Sequence, residues 1–62
     1  MEIDIDKIYT MLDICIGMNI QLAKDYEKEN NMEYVNAHLG GATALQMFKQ
    51  KLIELEEKEN GL

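Results

Sequence analysis

Proline and arginine are absent from this 62-residue chain, and cysteine and histidine occur once each, as Cys15 and His38. Each shortage removes a class of protein. Without proline nothing rigidly interrupts a helix, so the apolar pattern decides where helices stop. A lone cysteine forbids an intrachain disulfide, and Cys15 with His38 falls short of the Cys and His ligand set of a structural zinc site. No metal or cofactor is expected. Six lysines face twelve carboxylates, for a net charge of −6. A chain so charged and without arginine cannot assemble the basic face that phosphates require, so direct nucleic-acid binding is not expected.

Long hydrophobic runs are also missing. The most apolar stretch, residues 8–23, is short for a bilayer and is interrupted by Asp13, Asn19 and Gln21. No basic segment leads into an apolar core and a small-residue cleavage site, so no signal peptide is expected. With the unpaired cysteine, this points to a cytoplasmic protein. Catalysis has little to work with: no Ser/His/Asp or Cys/His pair finds a third member, and no carboxylate pair falls in a predicted concavity. The chain is therefore not expected to be an enzyme.

What is present is a helix that is apolar nearly all round. Within residues 8–23 only Thr10, Asp13 and Gly17, continued by Lys24, form a thin polar stripe. Such a helix needs cover on more than one side. A chain this small buries little of its own surface and, lacking disulfide and metal, is left with oligomerisation as its route to stability.

The pattern predicts two helices, over about residues 4–28 and 32–59, joined by a turn at about 29–31, in a single helical-hairpin domain. Asp4 is the expected N-cap of the first helix, with Asp6 in its first turn and Ile3 stapled on Ile8. Its seam reads Ile5, Ile8, Leu12, Cys15, Asn19, Leu22 and Tyr26, widened by Tyr9, Ile16, Ile20 and Ala23 on one flank and by Met11 and Met18 on the other. Asn30 is the expected cap of the second helix, with Glu33 reaching back as a capping box. The second seam reads Val35, Leu39, Ala42, Leu45, Phe48, Leu52 and Leu55. Glu54 and Lys58 are spaced for an ion pair, and Asn60-Gly61 marks a stop. The expected fold is all-α: an antiparallel two-helix hairpin assembling into a homodimeric four-helix bundle or a higher oligomer.

Gly40-Gly41 is ambiguous. Two helical glycines cost roughly 2 kcal/mol against alanine. They could split the helix, or, with Ala37, Gly41 and Ala44 on one face, mark a close helix crossing; the continuous helix is the favoured reading. A split would expose backbone N–H groups near His38, Gly40, Gly41 and Thr43, where a phosphorylated ligand could bind. His38 otherwise reads as a hydrogen-bonded rim residue, Cys15 as a buried thiol, and Asn19 as either a register-setting polar group or an exposed one.

The leading functional expectation is a small acidic interaction protein that acts as an oligomer on another protein, as inhibitor or adaptor. Its candidate contact residues are Tyr34, Phe48, Glu54 and Glu56. The Ile-, Asn-, Lys- and Glu-rich composition suits an AT-rich coding sequence, as in phages or mobile elements of low-GC bacteria. The alternative expectation is an oligomeric binder of a phosphorylated metabolite or signalling nucleotide at the His38–Thr43 region.

Overall fold

The computed structural model describes residues 3–60. They form a helical hairpin of α1 (Ile5–Lys28) and α2 (Met32–Glu59). Asp4 caps α1 as expected, its Oδ1 accepting from the Asp6 N–H at 3.0 Å. Ile3 stays largely exposed.

The two asparagines at the turn divide the labour differently from expectation. Asn30 ends α1 and does not start α2. It adopts the left-handed conformation (φ 58°), its N–H donates to Glu27 O at 3.0 Å, and the Asn31 N–H donates to Tyr26 O at 2.9 Å. This is a Schellman closure with asparagine in the place usually taken by glycine. Asn31 is the N-cap of α2, its Oδ1 accepting from the Tyr34 N–H at 3.5 Å. With the cap one residue later, Glu33 is out of register for the capping box. Asn60 caps the far end of α2; Gly61 lies outside the described residues.

The helices pack along their whole length, in a body of 48 × 20 × 15 Å. Tyr26 meets Tyr34 near the turn, Asn19 meets His38 midway, Asp13 meets Lys49 further out, and Tyr9 meets Glu56 near the open end. Among the described residues only Ile16, Ala23, Val35 and Ala42 are buried. The half-buried flank of α1 is Ile5, Ile8, Tyr9, Leu12, Asn19, Ile20 and Tyr26; on α2 it is His38, Gly41, Leu45, Lys49, Leu52, Ile53 and Glu56.

The seam is therefore rotated from the expected one on both helices. Cys15 and Leu22 were expected inside and are exposed; Ile16 and Ala23, placed on the flank, are inside. On α2, Leu39, Phe48 and Leu55 point away from α1. The reason is steric and polar together. Ala23, Ala42 and Gly41 are small enough to let the backbones approach, and the cross-helix pairs at Asn19, Asp13 and Tyr9 form only in this rotation.

Helix α2 runs unbroken through Gly40 and Gly41. Only Gly41 serves the crossing: a Cβ there would sit 3.1 Å from Asn19 Oδ1, whereas Gly17 and Gly40 face open space. Ala37 and Ala44 remain exposed. Gly17→Ala is expected to stabilise the fold by about 0.5–1 kcal/mol, because it removes helix-interior glycine at no steric cost. Gly41→Ala should give up that gain to the contact with Asn19, and regain it in an Asn19→Ala background. Urea denaturation of the four variants checks this; equal effects of the two glycine changes would contradict the close approach.

Candidate interaction face

Each residue turns an α-helix by about 100°, so the inward positions of each helix fill an arc with two edges. On α1 the arc runs from Ile8, Asn19 and Tyr26 at one edge to Ile20 at the other, with Asp13 just beyond. On α2 it runs from Gly41 and Leu52 to Val35 and Ile53. The Tyr26 and Tyr34 rings are 5.0 Å apart at their centroids and Asn19 lies against Gly41, so those two edges share one side of the hairpin. Asp13 reaches Lys49 Nζ, at 2.7 Å, from the opposite side.

Continuing round each helix past the Tyr26–Tyr34 side brings up a second apolar strip. On α1 it is Met11, Cys15, Met18 and Leu22, with Ile14 at its margin; on α2 it is Ala37, Ala44, Phe48 and Leu55. All are exposed, Met11 at 65%, Met18 at 59%, Phe48 at 55% and Leu55 at 57%. Spacings of three, four and seven keep each strip in line along its helix. Both strips face the same way and give the hairpin an apolar side; Met32, Leu39 and Met47 are exposed elsewhere on α2.

The middle of that side is also free of formal charge, and Lys51 is the charged group that falls in line between Phe48 and Leu55. Residues 14–23 and 34–48 contain no lysine, aspartate or glutamate on any face, and the charged groups gather at the turn and at the open end.

One polar group lies between the strips. Asn19 Nδ2 donates to Cys15 O at 3.0 Å, which leaves Oδ1 facing His38 Nδ1 at 3.0 Å. With Oδ1 as acceptor, Nδ1 carries the hydrogen. The His38 ring stacks on Tyr26, 5.6 Å between centroids and 4° from parallel. His38 is thus a hydrogen-bonded rim residue, and Asn19 is a seam residue with both ends of its amide used.

A second polar group closes the open end. The Tyr9 hydroxyl donates to Glu56 Oε1 at 3.1 Å, and Lys49 Nζ lies 5.8 Å from the Tyr9 ring centroid while it pairs with Asp13. Packing around the phenol, the bond to Glu56 and the nearby carboxylates of Glu56, Asp6 and Glu57 together hold its pKa above 10.0.

The expected contact residues separate in space. Tyr34 and Phe48 border the apolar side. Glu54 is exposed and pairs with Lys51 at 3.3 Å, in place of Lys58. Glu56 is half-buried and engaged by Tyr9, so it serves the hairpin itself. The expected ligand residues diverge: His38 and Gly41 face α1, Gly40 faces open space, and the Thr43 hydroxyl donates to Leu39 O at 2.9 Å. No helix terminus forms there, and the described residues enclose no cavity and hold no group of three potential metal ligands. No described helix is long and apolar enough to cross a membrane. Comparison with protein-family models, characterised proteins and solved structures finds no match to this chain.

Two outcomes follow for the polar groups. Asn19→Ala strands the His38 Nδ1–H and should cost about 1 kcal/mol in urea denaturation; an unchanged midpoint would remove Asn19 from the crossing. The folded state holds the Tyr9 proton more tightly than the unfolded state does. Its contribution is therefore present below about pH 10 and lost as the pH rises through the higher folded value. Tyr9→Phe should flatten that alkaline fall in stability, and superimposable alkaline profiles would contradict it.

Proposed function

We propose that this chain is a self-associating helical interaction protein. Two hairpins join through their apolar sides into a four-helix bundle, which then presents its acidic ends to another protein. The observation that carries the reading is the common orientation of the two unpartnered strips. Had they pointed to opposite sides, one copy could not have covered both. A second hairpin laid on the apolar side covers both at once and leaves the Asp13–Lys49 side in water.

The charge layout supports the second half of the reading. Carboxylates at the turn (Asp25, Glu27, Glu29, Glu33) and at the open end (Asp4, Asp6, Glu54, Glu57, Glu59) outnumber the lysines among them, and an assembly would multiply that field at its two ends. A basic protein surface is the partner such ends would steer toward. Glu54 is the accessible member of the expected contact pair.

Native mass spectrometry of the protein at micromolar concentration should give twice the 7.2 kDa chain mass. Met18→Glu gives up about 2 kcal/mol of side-chain burial and places a carboxylate in the interface. It should raise the dimer dissociation constant at least about a hundredfold. Glu54→Lys, outside the apolar side, should leave the mass unchanged. A wild-type chain that runs as a monomer would overturn the proposal.

A further inference from the structure

We infer that the two copies pack with α1 of one hairpin on α2 of the other, so that both turns lie at the same end of the bundle. This rests on the self-association proposed above and specifies its geometry. Three observations lead to it.

The first is area. The hairpin exposes 5113 Å². A compact monomer of 7.2 kDa exposes about 4,100 Å². The excess of about 1,000 Å² exceeds the roughly 800 Å² that each partner contributes to a standard stable interface. A second copy therefore covers what is in excess and need not cover more.

The second is side-chain size. The α1 strip is bulky (Met11, Met18, Leu22, with Ile14 at its margin), whereas the α2 strip is small in its middle (Ala37, Ala44), with Phe48 and Leu55 beyond. The cross-helix contacts Tyr26–Tyr34, Asn19–His38 and Asp13–Lys49 set the levels. Leu22 and Met18 stand at the height of Ala37 and Gly41, and Cys15 at the height of Ala44. With turns at the same end, Leu22 and Met18 meet the small stretch of the partner's α2 about Ala37 and Ala44 at their own height, while Met11 stands level with Phe48.

The third is symmetry. Turns at the same end make the two inter-hairpin contacts identical, α1 on α2 twice over, so the two spacings are equal. Turns at opposite ends would pair α2 with α2 through a strip whose middle is alanine and α1 with α1 through methionine and leucine. The first pair would close and the second stand apart. Two stiff hairpins cannot tilt that way without leaving a wedge-shaped gap, and interiors do not tolerate voids of that kind.

The experiment is a pulsed dipolar distance between spin labels in the full chain. Cys15→Ala removes the native thiol, and Glu29→Cys at the turn or Glu59→Cys at the far end supplies the label, each exposed. Neighbouring helix axes lie 8–10 Å apart, so both labels should report a mean distance below about 25 Å. A distance near 40 Å at both sites, the length of a 28-residue helix, overturns the inference and retains the dimer. A signal with no intermolecular dipolar component at either site overturns the self-association reading itself.

Discussion

A layer of two helices can cover each helix on one side only, and the rest of this structure follows from that limit. Apolar residues extend around some two-thirds of α1, from Ile14 through Met18, Cys15 and Asn19 to Ile16 and Ile20. One neighbour takes the half that ends at Asn19. Fully covering a Met, Leu, Ile or Phe side chain yields about 1.5–3 kcal/mol, so the uncovered strip is a large unused driving force in a hairpin that buries only four small-to-medium residues among those described. Sequence and packing meet at this point: the composition of residues 8–23 sets the problem, the hairpin solves half of it, and the proposed association would meet the other half on the common side of the two strips.

Much of the hairpin is legible from the residues alone. The absence of proline, the loss of apolar rhythm at Lys28-Glu29-Asn30-Asn31 and the cap at Asp4 locate the helices, because each acts within a turn or two of backbone. The rotation of each helix about its axis is not local. Ile8-Leu12-Cys15-Asn19-Leu22 and Ile8-Leu12-Ile16-Asn19-Ala23 are both acceptable apolar seams, some 40° apart or less on average. What separates them is the partner: Gly41 against Asn19, Lys49 against Asp13 and Glu56 against Tyr9. Those pairings join residues far apart in sequence. The role of Asn30 was hidden for a related reason. Adjacent asparagines suit both a left-handed stop and an N-cap, and only the backbone shows which residue does which.

The candidate face shows the same division. Phe48 and Tyr34 were recognisable as aromatic contact candidates, and Met11 and Met18 as a flank of the first seam. Their convergence on one side needed the handedness of the hairpin. The His38–Thr43 cluster had the opposite fate. Contiguous in sequence, it is dispersed around a continuous helix, because four successive positions of an α-helix point in four directions. Glu56, expected among the contact residues, is instead held by the Tyr9 hydroxyl and helps close the open end.

Charge placement completes the account. The middle of the hairpin has no lysine or carboxylate on either helix beyond Asp13, which is paired with Lys49, so two such middles can meet without desolvating an ion. In the proposed assembly the charged ends would stay in water and give it a sign. The central claim is that association supplies stability the single hairpin lacks, and its most direct test is urea denaturation followed by helical circular dichroism over a hundredfold range of protein concentration. A fold held by dimerisation gains about 2.7 kcal/mol of apparent stability across that range, with the midpoint rising accordingly. Superimposable curves would mean that the hairpin stands alone, and would contradict the account.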